Sequence, residues 1–122
     1  MLQTLSIKNV ALIDSAVINF AKGLNVLSGE TGSGKSVIIE SLNFVLGAKA
    51  DKSLIRSGQT ECSVRAEFVV NNPAVSSLLE EFDVVLEDDL LIVSRKFNLD
   101  GKSSIKVNGV SVTVNMLKRL TS

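Results

Sequence analysis

The residues able to do chemistry are concentrated in one octapeptide. Gly29-Glu30-Thr31-Gly32-Ser33-Gly34-Lys35-Ser36 fits the spacing G-x-x-x-x-G-K-[ST] in full. Glycines at 29, 32 and 34 let the backbone turn sharply and aim successive N–H groups at one point. Those donors, with the positive end of a helix starting near Lys35, suit a run of phosphates. The Lys35 ammonium is placed to reach the β- and γ-phosphates of a nucleotide, and the Ser36 hydroxyl to coordinate Mg²⁺ between the same two groups. Val37, next in the chain, completes the expected binding stretch. Glu30 is the one carboxylate in the loop, and its expected role is structural, because an acid aimed at phosphates would repel them. A chance match in a chain this long has odds of roughly 1 in 200.

The elements that must position this loop are legible on either side of it. Leu24 to Leu27 reads as a short apolar strand leading in. Ser36 to Leu46 carries Ile38, Leu42, Val45 and Leu46 at helical spacing, and Gly47 is the expected C-terminal cap. Upstream, residues 2–8 and 14–20 read as strands, the second with Ala16, Ile18 and Phe20 on one face, and Ala21-Lys22-Gly23 as a turn. Downstream, 48–60 reads as an exposed loop, and 62–70 as a half-buried strand alternating Cys62, Val64, Ala66 and Phe68 against Ser63, Arg65 and Glu67. Pro73 opens a helix through Phe82. Strands at 90–97 and 104–107 join through Asp100-Gly101, Asn108-Gly109 signals a hairpin, and Thr113 caps a helix containing Met116, Leu117 and Leu120. That helix runs uncapped to Ser122, which reads as a boundary inside a longer protein. The expected fold class is α/β: a P-loop NTPase core with an antiparallel β portion, in one domain spanning 1–122.

Composition narrows the chemistry. The 122 residues contain no His, one Cys, and 13 basic against 13 acidic residues. Zero His excludes Ser-His-Asp chemistry and His-containing zinc sites within the chain, and the single Cys62 excludes an internal disulfide. Cys62 sits at an inward-alternating position and reads as core. The longest uncharged stretch, Phe68 to Leu79, contains Asn71, Asn72 and Pro73 and is too short to span a membrane. No signal peptide is read, so a cytoplasmic location is expected. Glu80 to Asp89 is acid-rich, whereas Arg95, Lys96, Lys102, Lys106, Lys118 and Arg119 make the C-terminal third basic. Those cations read either as solvated strand and helix faces or as a basic surface meeting DNA or another lobe.

One phosphate loop binds nucleotide but does not hydrolyse it alone. An acid on an apolar strand must support Mg²⁺ and water. Val84 to Asp88 is the nearest candidate, too short in apolar residues, and reads as a loop or short strand. Ser57-Gly58-Gln59 reads as loop.

The start LQTLSIKNVALID, the loop GETGSGKS, the segment LGAKADKSLIRSG and the later KVNGVSV follow one another in an order that resembles the N-terminus of the bacterial DNA repair family RecN. That family lies in the SMC-like branch of ABC-type ATPases, and the resemblance covers essentially the whole chain. Ser33 stands where the family usually has Ala, and Lys49 where it usually has Arg. The resemblance implies an N-terminal lobe of an ATPase head whose signature motif, acid strand and coiled coil lie outside this chain. It implies ATP and Mg²⁺ as cofactors. As partners it implies the C-terminal lobe of the same protein, a second head in a homodimer, and DNA at breaks, in the cytoplasm at the nucleoid. Alone, the lobe is then expected to be inactive as an ATPase. By the same resemblance Lys8 and Asn9, in a loop after the first strand, approach the nucleotide, and Arg56 lies near DNA or the partner head. Two rival readings are a head lobe of another SMC-like or RecF-like ATPase and a small P-loop GTPase or kinase. The chain has no N-K-x-D and no D-x-x-G, which a GTPase needs.

Overall fold

Alternation of apolar and polar residues dictates most of what is seen. The structure is a computed structural model describing residues 2–20, 32–70, 72–86 and 88–121, with backbone alone at 32–36 and 121. Strands β1 (Leu2–Val10), β2 (Ile13–Asn19), β3 (Glu61–Val69), β4 (Leu90–Asn98), β5 (Ser103–Val107) and β6 (Val110–Val112) form one six-stranded sheet in the order β2-β1-β3-β4-β5-β6. Every pair in it is antiparallel. The expected strand over 24–27 and the turn at 21–23 fall outside the described residues.

Period-2 patterning gives the sheet two unlike faces. Leu5, Ile7, Ile18, Cys62, Val64, Ala66, Val93 and Val107 are buried on the inner one. Lys8, Val17, Arg65, Lys96 and Lys106 are exposed on the other. Helix α1 (Gly32–Val45) packs on the inner face against β1, β3 and β4, through Val37, Ile38, Phe44 and Val45. Helices α2 (Pro73–Glu81) and α3 (Val114–Thr121) pack against each other. Leu79 and Leu117 are buried between them and the core.

Turn and cap chemistry fixes the boundaries. Asn72 caps α2 by accepting from the Ala74 N–H at 2.9 Å, with Pro73 in the first turn. Thr113 Oγ1 accepts from the Met116 N–H at 3.1 Å and caps α3. Asn108 and Gly109 take φ of 48° and 85°, the positive values a two-residue hairpin requires. The Asn108 amide also donates to the carbonyls of Val85 and Leu90 while accepting from Ile92, tying the 84–86 segment to the hairpin.

Gly47 closes α1 at φ 111°. Its N–H donates to Phe44 O at 3.1 Å and the Ala48 N–H to Asn43 O at 3.0 Å, the paired bonds of a Schellman ending. A Cβ there would lie 3.2 Å from Lys118 Cγ of α3. Gly47→Ala is therefore expected to destabilise the fold by about 1–2 kcal/mol through backbone strain and crowding; urea unfolding measures it, and an unchanged midpoint would contradict this account.

Two expectations need correction. Helix α1 begins at Gly32, not near Lys35, so two glycines that were read as turn residues lie in the first helical turn. Glycine's cost in a helix is about 1 kcal/mol against Ala, small enough for the packing of the helix body to override. Residues 48–60 are not simply an exposed loop. Asp51 caps a 3₁₀ turn at Lys52–Leu54, and Ile55, only 7 % exposed, bridges to Val10. That bridge is a non-local pairing with no signature in the local pattern. The 84–86 segment forms no strand, in keeping with its reading as loop.

Candidate nucleotide-binding site

The C-terminal half of the octapeptide falls on the first turn of α1. The first four N–H groups of any helix have no acceptor within it, and the helix dipole adds positive charge at the same end. Gly32, Ser33 and Gly34 supply donors of this kind here. Gly29, Glu30 and Thr31 lie outside the described residues, as do the side chains of Ser33, Lys35 and Ser36. Val37 is 8 % exposed and its side chain belongs to the core, and its N–H, on the sixth residue of α1, falls past the donors that lack an intrahelical acceptor. The body of the helix is locked onto the sheet, so a group held at its N-terminus is held against the whole fold.

Lys8 and Asn9 are not in a loop. Both belong to β1, and Asn9 takes φ 56° within the strand. Asn is among the few residues that accept this conformation, which is why the local pattern reads as a strand end. Lys8 points to the outer face, away from α1, and shares a depression of about 240 Å³ with Asn9, Ser63 and Lys96. The structure does bring Asn9 and Arg56 together: the Arg56 N–H donates to Asn9 O at 2.8 Å. The Arg56 guanidinium donates to Leu12 O at 2.7 Å, so this half-buried arginine braces the β1–β2 turn.

Arg95 is the residue that sequence reasoning placed wrongly. It is 3 % exposed, on the inner face between Val93 and Phe97, and forms no part of a basic surface. Its guanidinium donates to Phe44 O at 2.8 Å and Ala48 O at 2.6 Å, and lies 4.5 Å above the Phe44 ring. Ser103 Oγ accepts from it at 3.2 Å. A cation on the last carbonyls of α1 complements the negative end of the helix dipole, while the other end faces the octapeptide. Burial pulls the Arg95 pKa down, yet an arginine stays charged in proteins. The signal was present in the period-2 pattern, which puts residue 95 on the same face as Leu91, Val93 and Phe97. Cys62, on the neighbouring strand, is held above the ordinary thiol range, first by burial and then by Glu61.

A family model described as an AAA domain matches residues 4–121. The chain belongs to the AAA domain family. Among relatives, this AAA domain is 33% identical over 121 residues to the DNA repair protein RecN of Bacillus subtilis (strain 168), covering 98% of this chain and 21% of that protein. It is 37% identical over 120 residues to the DNA repair protein RecN of Vibrio cholerae serotype O1, covering 98% and 22%. The AAA domain thus spans about a fifth of the length of these relatives and fits an N-terminal RecN head lobe. Among solved structures, one from work on ATP-driven dimerization and DNA-stimulated activation of SMC ATPases aligns with TM-score 0.74 at 26% identity, over 98% of this chain and 76% of that one. The recombination mediator protein RecF shares the fold at TM-score 0.69 and 16% identity, over 96% of this chain and 29% of that one. The AAA domain is therefore an α/β P-loop NTPase lobe, and membership implies a nucleotide ligand. Among the described residues no helix is long and apolar enough to cross a membrane.

Proposed function

We propose that this chain is the ATP-binding lobe of a RecN-like head acting in DNA double-strand-break repair. The observation that carries the reading is the position of G-S-G-K-S on the first turn of a helix packed against the sheet, in a chain that aligns with RecN proteins over 98% of its length. In this reading Gly29 to Gly34 wrap the phosphates with backbone N–H groups, and Lys35 neutralises the β- and γ-oxygens. The donor set suits Mg²⁺ in one respect: Ser36 follows Lys35 on the first turns of the same helix, one residue from where the phosphates are gripped. The Ser36 hydroxyl would hold the ion, which supplies charge neutralisation when bound.

The 84–86 segment, the nearest candidate for an acid-bearing strand, forms none, so the hydrolytic acid would come from elsewhere. The C-terminal lobe would supply that acid, and a second head the signature motif, so that ATP joins two heads over DNA at the nucleoid. Asn9, whose carbonyl accepts from the Arg56 N–H, would approach the nucleotide, and Arg56 would lie towards DNA or the partner head. The rival SMC-like reading is less favoured, since identity to RecN reaches 37% against 26% for the SMC structure.

The half-site makes a sharp prediction. The isolated 122-residue chain is expected to bind a fluorescent ATP analogue and to show no turnover above background. Steady hydrolysis that copurifies with the chain and vanishes on Lys35→Ala would overturn the half-site.

A further inference from the structure

The outer face of the sheet carries a pattern that the nucleotide site does not use. Strand register aligns Ser15, Lys8, Ser63, Lys96 and Ser104 in one row across five strands. The adjacent row aligns Ser6, Arg65, Ser94, Lys106 and Ser111 across β1, β3, β4, β5 and β6. In both rows a cation alternates with a serine, and the second row is offset by one strand, so the cations form a zigzag. With strands about 4.8 Å apart and alternate residues about 6.8 Å apart along a strand, successive cations lie roughly 8 Å from one another. All four cations are exposed. Two adjoining depressions, of about 340 and 680 Å³, run along these rows and share Arg65 and Ser94.

Three features select the occupant. Serine hydroxyls and Lys or Arg cations are the side chains that contact phosphate oxygens, and their alternation offers a neutral donor between every two charges. The rows contain no aromatic residue, so a single strand would find nothing to stack on. No acid lies within the rows; Glu61 and Glu67 bracket them on β3, Asp83 lines the larger depression, and Glu67 pairs with Arg65 at 3.5 Å, a largely solvated contact worth little. We propose that this sheet face is a track for the phosphate backbone of a nucleic-acid duplex, read without regard to sequence. The proposal rests on the DNA-repair reading above and gives it a surface.

Binding of a fluorescein-labelled, mixed-sequence DNA duplex to the full protein, followed by anisotropy at several salt concentrations, tests it. Lys96→Gln/Lys106→Gln removes two of the four cations, and both residues are distant in role from the nucleotide loop. Releasing two fewer counterions should make the slope of log affinity against log salt shallower by about 1.8, so that a fourfold rise in salt weakens wild type about 12-fold more than the double variant. An unchanged slope and affinity would overturn the proposal. So would polyglutamate at equal charge concentration binding with the same dependence on these two lysines, since that would assign the face to an acidic polypeptide. A fluorescent ATP analogue, titrated into the same preparations, is expected to bind wild type and variant alike. Failure of that titration in wild type would count against the ATP-binding reading, whereas failure of the duplex arm alone would count against the track.

Discussion

Lys35→Ala is expected to lower ATP turnover of the full protein by at least about 100-fold, the loss seen when one preorganised charge partner is taken from a developing anion. Backbone N–H groups of the first turn of α1 would still face the phosphates, so some nucleotide affinity should survive while turnover does not. The fold should not notice. Among the described residues, those that lock α1 in place are Val37, Ile38, Phe44 and Val45, and their packing carries the helix. Steady-state ATPase and a thermal melt on the same sample check both halves of the statement. Turnover equal to wild type would remove Lys35 from the site, and a collapsed melt would show that it serves the fold.

Arg95→Met is expected to cost about 3–5 kcal/mol of stability. Two charge-assisted hydrogen bonds to the end of α1 disappear, each worth about 1.5–3 kcal/mol, together with a buried stacking contact on Phe44. Met recovers part of this by filling the space with an unbranched apolar chain. In a chain of this size the melting temperature should fall by roughly 15 °C. Arg95→Lys should lie between, since an ammonium keeps the charge but cannot fork between Phe44 O and Ala48 O while stacking. A Met variant within 1 kcal/mol of wild type would show that the carbonyls find other partners.

The contrast between these residues shows what a single sequence makes legible. β3, the Asn108-Gly109 hairpin, the Pro73 start and the Gly47 ending depend on local chemistry, and all were readable in advance. Arg95 was read with the other cations as a solvated face or a basic surface because charge was counted along the chain, whereas the strand's own alternation already put it inside. Asn9 read as loop because a positive φ inside a strand has no periodic signature. The Val10–Ile55 bridge and the Arg56 brace on the β1–β2 turn join segments far apart in sequence, and nothing local encodes them. The phosphate loop is the opposite case. Its residue types and spacing carry the chemical argument, and the fold adds the helix end on which half of it sits.

The order of strands also sets an order of events. Four of the five strand pairings join chain neighbours, and β4, β5 and β6 are joined by short turns, so this meander can close early. The pairing of β1 with β3 aligns Lys8 with Ser63 and must wait for a long intervening segment to be drawn in. Loop-closure entropy makes that step roughly 2 kcal/mol more costly than closing a four-residue turn. The helix bearing the phosphate loop belongs to the segment so enclosed. It gains its platform only once the slowest pairing has formed, so a chain that grips nucleotide has finished folding, and nucleotide that binds the finished chain alone holds it there by mass action.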